Sequence, residues 1–135
     1  MSPVSGSDRF KTAAILVVDD DPGIVRMIGR LLRELGFRRV EHASDGASAV
    51  QKLTAARFDL VISDWNMTPM SGLELLQHIR KDRRLATIGF VMATGKNDPD
   101  EVAAAKAAGV DGYLLKPFNL ANLTNQLARA LARVE

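Results

Sequence analysis

Short, wholly apolar runs alternate along the chain with segments whose apolar residues recur every three or four positions. Ala13-Ala14-Ile15-Leu16-Val17-Val18 is continuous, the signature of a strand buried on both faces. It runs into Asp19-Asp20-Asp21-Pro22, where Asp21 is placed to cap a helix and Pro22 to open it. Ile24, Ile28, Leu31, Leu32 and Leu35 then keep helical spacing until Gly36 stops the run. Arg39-Val40-Glu41-His42-Ala43 alternates as a second strand, and Ala47 to Ala56 predicts a helix. Leu60-Val61-Ile62-Ser63 is a third strand ending at Asp64, and Leu73, Leu75, Leu76 and Ile79 mark the next helix. Phe90-Val91-Met92-Ala93 is a fourth strand ending at Thr94. Asp98-Pro99-Asp100-Glu101 then joins a cap to an acid at the third helical position, the sequence form of a capping box, and that helix stops near Gly109. Tyr113-Leu114-Leu115 is a fifth strand ending at Lys116-Pro117, and Asn119 is placed to cap a last helix to Arg133.

Such regular alternation predicts an α/β fold, a parallel sheet with helices on both faces. Residues 1–10 carry no such pattern and are expected to form a flexible tail, leaving 11–135 as one domain. Open parallel sheets bind ligands beyond the carboxyl ends of their strands. At those ends stand Asp19 and Asp20, then Asp64, then Thr94, then Lys116.

Composition narrows the choice. The chain has 135 residues, 47% hydrophobic and 25% charged, enough for one domain with a substantial core. Its 18 basic and 16 acidic residues leave a net charge of +2, too balanced to point to nucleic acid or an anionic membrane. No apolar run approaches the roughly 20 residues of a membrane span, and no secretory signal opens the chain. The expected location is the cytoplasm. Absence of cysteine excludes thiolate zinc sites and a cysteine nucleophile. His42 and His78 are too far apart in sequence for a multi-histidine metal site and read as surface residues. Arg80-Lys81-Asp82-Arg83-Arg84 reads as a solvated helix end whose cations suit the dipole.

Three carboxylates cannot share a crevice bare, since two unit charges about 4 Å apart repel by about 4 kcal/mol at an effective dielectric of 20. A divalent cation removes the difficulty, and an all-oxygen donor set with waters suits Mg²⁺. Three negative charges then meet two on the metal and one on Lys116, and the nearly neutral site can receive a phosphoryl group. Its oxygens would be held by the metal, Lys116 and the Thr94 hydroxyl, leaving one acid as an in-line nucleophile. Asp64, at the end of the third strand, is the candidate.

At this point the chain resembles the receiver domain of two-component response regulators, and most of all a single-domain chemotaxis-type (CheY-like) regulator. The resemblance is carried by Val17-Val18-Asp19-Asp20, by Leu31-Leu32-Arg33-Glu34-Leu35-Gly36-Phe37 and by Val61-Ile62-Ser63-Asp64-Trp65-Asn66-Met67. Gly72-Leu73-Glu74-Leu75-Leu76, Met92-Ala93-Thr94 and Gly112-Tyr113-Leu114-Leu115-Lys116-Pro117-Phe118 complete it. It implies a flavodoxin-like (βα)5 fold with strand order 2-1-3-4-5. It implies that Asp64 accepts phosphate from a histidine kinase, and that Mg²⁺ is bound by the Asp20 and Asp64 carboxylates, the Asn66 backbone carbonyl and, through water, Asp19. It also implies that Thr94 and Lys116 grip the phosphoryl group, and that Tyr113 turns inward as Thr94 moves. The output would be a changed surface on the fourth helix, fifth strand and fifth helix of a monomer that binds a flagellar motor switch protein and a phosphatase, with no attached output domain.

Departures from the family pattern are Thr68-Pro69 where proline usually follows the methionine directly, Ser71 and Gly89 in place of a frequent Asp and Pro, and Asp21 as a third acid. None removes a chemical group from the site. Beside the signalling switch stand a receiver that acts as a phosphate sink or relay, and two other classes. An aspartate-nucleophile phosphatase of the haloacid dehalogenase kind would use Asp19-x-Asp21, but the chain has no cap insertion. A flavin module would need a phosphate loop after the first strand, where Asp19-Asp20-Asp21-Pro22 would repel the anion.

Overall fold

The computed structural model describes residues 12–133; the expected tail, 1–10, lies outside them. Five strands form one parallel sheet: β1 (Ala14–Val18), β2 (Arg39–Ala43), β3 (Leu60–Asp64), β4 (Gly89–Thr94) and β5 (Gly112–Leu115). Five helices follow them in turn: α1 (Pro22–Glu34), α2 (Gly46–Ala55), α3 (Gly72–Lys81), α4 (Pro99–Ala108) and α5 (Leu120–Arg133). The strand order is β2-β1-β3-β4-β5, as the resemblance implies.

Burial explains the apolar runs. Along β1 the side chains divide alternately between two cores: Ala14, Leu16 and Val18 on one face, Ile15 and Val17 on the other. β4 divides the same way, with Phe90 and Met92 opposite Val91 and Ala93. The first core is covered by α2 and α3 through Ala49, Leu53, Leu75, Leu76 and Ile79. The second is covered by α1 and α5 through Ile28, Leu32, Leu123, Leu127 and Leu131. α4 buries only Ala105 and is the most loosely packed helix.

Asp21 caps α1, its carboxylate accepting the Gly23 N–H at 2.8 Å ahead of Pro22 at the first helical position. Gly36 and Gly109 both take positive φ, 106° and 96°, just beyond α1 and α4, the conformation that suits glycine at a helix end. Asn119 and Asn122 bond reciprocally at the start of α5. The capping box read at Asp98–Glu101 is only half present: Asp98 accepts the Asp100 N–H at 2.9 Å, but no bond returns from Glu101 to the Asp98 N–H. A complete capping box stands instead at Ser71–Glu74, with bonds of 3.1 and 2.9 Å. The [Ser/Thr]-x-x-[Glu/Gln] pattern that predicts it was present in the sequence.

One expectation about the basic stretch 80–84 is corrected. Lys81, Arg83 and Arg84 are solvated, but Arg80 is largely buried. Its guanidinium donates to the carbonyls of Ala86, Ile88 and Gly109 and to Asp111 Oδ2 at 2.9 Å. Asp111 also accepts from the Phe90 N–H and from Arg133 Nε. The clamp joins α3, β4, the α4–β5 turn and α5 at the amino-terminal edge of the sheet.

Candidate functional site

The registers align the carboxyl ends of the strands: Val18 lies opposite Ser63, Asp64 opposite Ala93, and Thr94 opposite Leu115. Residues at or just past these ends therefore share one rim. β1 delivers Asp19 and Asp20, β3 delivers Asp64, β4 delivers Thr94, and the β5–α5 connection delivers Lys116. That connection is tied to β4 by the Lys116 N–H on the Thr94 carbonyl, 2.7 Å.

Lys116 Nζ bridges two acids, donating to Asp64 Oδ1 at 3.1 Å and to Asp19 Oδ2 at 3.2 Å. The Asp19 side chain is 3% exposed and that of Asp64 is 11%. The second oxygen of Asp19 accepts the Asp21 N–H at 2.9 Å, which fixes the carboxylate while leaving Asp20 on the solvent side. Oxygens of Asp19, Asp20 and Asp64 all lie within 4.8 Å of one another. Ligands of an octahedral Mg²⁺ lie about 3 Å apart when adjacent and about 4.2 Å apart when opposite, so an ion that keeps waters between itself and part of this set fits among the three carboxylates. Asn66, whose carbonyl the resemblance adds to the set, is exposed on the loop leaving β3.

Asp19 and Lys116 are both shifted from their ordinary ranges. Burial is the largest influence on Asp19 and raises its pKa, with the Asp64 charge adding to the effect; the Asp21 N–H and Lys116 only partly offset them. Burial works against the Lys116 ammonium more than any other single influence. The hydrogen bond to Asp64 and the fields of Asp19 and Asp64 together outweigh it, so the pKa of Lys116 is raised and it stays charged.

Thr94 is fully buried, and its hydroxyl oxygen accepts the Lys96 N–H at 3.2 Å. Tyr113 pairs with Met92 and so shares the sheet face of Met92 and Thr94. Its ring packs partly against the first core, and its hydroxyl is buried without completing a hydrogen bond. Trp65 is half-buried against the same core. His42 and His78 are exposed; His42 lies next to the carboxyl end of β2 and lines a cleft with Asp19 and Asp20. Gly72 is a further element of the site that its place in the motif alone does not reveal. Its N–H donates to the Trp65 carbonyl at 2.8 Å, and a Cβ there would collide with the Asp64 carbonyl and lie 2.8 Å from Met92 Sδ. Only glycine lets α3 start this close behind Asp64.

The response regulator receiver domain model matches residues 15–128. The chain belongs to that family. The receiver is 39% identical over 124 residues to chemotaxis protein CheY-3 of Vibrio cholerae, covering 92% of this chain and 95% of the relative. It is 39% identical over 120 residues to chemotaxis protein CheY of Pseudomonas aeruginosa, covering 89% and 97%. Among solved structures, CheY4 of Vibrio cholerae superposes with a TM-score of 0.82 at 38% identity, covering 88% of this receiver and 98% of that chain. The signal receiver domain of a signal transduction histidine kinase from Syntrophus aciditrophicus superposes with a TM-score of 0.82 at 31% identity, covering 92% and 93%. Receiver domains are phosphoacceptors that bind Mg²⁺ at an acidic pocket, and this receiver has a cluster of three Asp carboxylates.

Proposed function

We propose that residues 11–135 are the phosphoacceptor unit of a chemotaxis pathway, modified on Asp64 by a histidine kinase with Mg²⁺ held at Asp19, Asp20, Asp64 and the Asn66 carbonyl. The observation that carries this reading is the Lys116 ammonium shared between Asp64 and Asp19, with Asp20 beside them. A bound Mg²⁺ supplies charge neutralisation for the incoming phosphoryl oxygens. An Asp64 carboxylate oxygen attacks phosphorus in line, the new O–P bond forms, and the P–N bond of the phosphohistidine breaks with its electron pair going to the imidazole. Lys116, drawn off the carboxylate, follows one phosphoryl oxygen, and the Thr94 hydroxyl donates to another. Water later attacks phosphorus, which returns the Asp64 carboxylate and inorganic phosphate. The receiver thus acts on itself and turns over no separate substrate.

The output in this reading is partner binding on α4, β5 and α5 by a cytoplasmic monomer, with a flagellar motor switch protein and a phosphatase as partners; the two chemotaxis proteins among the relatives favour the chemotaxis pathway. A second reading is a phosphate sink or relay, favoured by the likeness to a receiver domain of a histidine kinase. Pulldown of a motor-switch fragment, strengthened by phosphorylation, separates the two.

The chemistry is tested by intact mass after incubation with acetyl phosphate and Mg²⁺. The expected result is one phosphoryl adduct that requires the metal and disappears in Asp64→Asn. An adduct of undiminished yield in Asp64→Asn refutes the assignment.

A further inference from the structure

Gly29 stands in the middle of α1 without a packing reason. Glycine in a helix interior is destabilising relative to alanine, so its presence there calls for a cause. Where this fold requires glycine, a Cβ has no room: at Gly46 it would collide with Met70, and at Gly89 with the Ala130 carbonyl. At Gly29, among the described residues and outside the backbone of its own helix, a Cβ would meet one heavy atom within 4 Å. That atom is Arg33 Nη1 at 3.4 Å, an ordinary contact with the end of a flexible side chain. The fold would accept a side chain here, and the glycine instead leaves a notch with a guanidinium over it.

The notch belongs to a cleft of about 440 Å³ between α1 and the edge strand β2, a volume within the range of small-ligand sites. Val17, Val25 and Val40 give the cleft an apolar lining. Arg26 and Arg33, three residues before Gly29 and four after it, share its helix face and line the same cleft. Neither forms an ion pair among the described residues. Glu41, on the strand side, is already paired with Lys52 at 3.6 Å. Asp19 and Asp20 close the end toward the carboxyl edge of the sheet. The cleft is therefore cationic around Gly29, apolar along its wall and acidic at one end.

We propose that the α1–β2 cleft is a binding site for a small aromatic acid, whose anionic group rests over Gly29 between the Arg26 and Arg33 guanidiniums and whose ring lies on Val17, Val25 and Val40. Guanidinium forks match a carboxylate or phosphate with paired hydrogen bonds, and their planes also stack on aromatic faces. The missing side chain lets the anion approach the helix closely, and the three valines favour an acid with an apolar body over a bare inorganic ion. Asp64, Thr94 and Lys116 do not line this cleft, so the inference stands apart from the phosphoacceptor reading.

The probe is 2-naphthoate, titrated into the full chain without metal and followed by backbone amide NMR. Its neutral counterpart 2-naphthalenemethanol and inorganic phosphate are run beside it. Saturating shifts are expected with 2-naphthoate, concentrated on α1 and β2 around Gly29 and Val40. Binding should weaken about ten-fold in Arg26→Gln or Arg33→Gln, the worth of one charge-assisted hydrogen bond, and by at least as much for the neutral alcohol. Gly29→Ala should melt higher than wild type, because an interior glycine is removed, and yet bind 2-naphthoate more weakly, which separates loss of the notch from loss of the fold. Absence of saturating shifts, or unchanged affinity in Gly29→Ala and both glutamine variants, overturns the site. Equal binding of the alcohol, or of inorganic phosphate, overturns the assignment to an aromatic acid.

Discussion

Asp19 is held in a place that disfavours its charge. Its pKa is raised, chiefly by burial, so the folded state binds its proton more tightly than the unfolded chain does. By linkage this costs stability at every pH above the folded pKa, and the cost vanishes as pH falls below the ordinary carboxylate value. Without metal at pH 7, Asp19→Asn should therefore melt higher than wild type. Calorimetry at falling pH should show the two converge. Added Mg²⁺ should raise the Tm of wild type and leave that of the variant nearly unmoved. Lys116 carries the opposite sign: its pKa is raised, so its contribution is complete below the ordinary lysine value and is lost as pH climbs through the folded one. Asp19, Asp64, Thr94 and Lys116 were legible because each ends an apolar run, and a parallel sheet must bring such ends together. The missing return bond from Glu101 was not legible, because its spacing from Asp98 is that of a capping box and local pattern cannot show whether a long side chain closes it.

The helices differ in how firmly they are held. α5 buries Leu123, Leu127, Ala130 and Leu131, whereas α4 buries only Ala105. α4 is held at its carboxyl end, where the Gly109 carbonyl accepts twice from Arg80, and its first turn has a cap but no box. Amide hydrogen exchange in the resting protein should therefore be faster across the first turns of α4 than in α5, and slower toward Gly109. Equal protection along the whole of α4 would contradict this account. The strands were read almost to the residue, since burial on two faces leaves an uninterrupted apolar signal. The edges were harder: β2 is largely exposed, and β5 has two exposed or half-buried positions out of four. Helix ends were readable at Pro22, Gly36 and Gly109, where backbone chemistry restricts the choice. Ser71 departs from the family pattern yet carries the cap, and its three-residue spacing from Glu74 is the signal that identifies it.

Across the whole molecule, chemistry and anchorage occupy opposite edges of the sheet. The acids and Lys116 line the carboxyl edge; Arg80, Asp111 and Arg133 lock the amino edge, with Asp111 ion pairs of 2.9 and 2.6 Å. Breaking a buried ion pair from one side leaves an uncompensated charge and costs about 3–5 kcal/mol. Asp111→Ala should lose roughly 3 kcal/mol of stability, read by urea unfolding. At temperatures where it stays folded it should still take one phosphoryl group from acetyl phosphate. Loss of labelling in the folded variant would show that the two edges are not separable. No sequence pattern pointed to this clamp, since Arg80 and Asp111 are 31 residues apart and meet only once the sheet has formed.

Gly72 gives the working edge its stiffness. Its backbone presses on the Asp64 carbonyl where no side-chain carbon fits, while its N–H holds the Trp65 carbonyl. Between Asp64 and the start of α3 there is consequently no slack. A side chain at this point would act as a compressible cushion; bare backbone against backbone does not yield. On the proposed phosphorylation of Asp64, any recoil of its backbone would be met at once by the axis of α3, and the third helix would take part in the event as a rigid backstop.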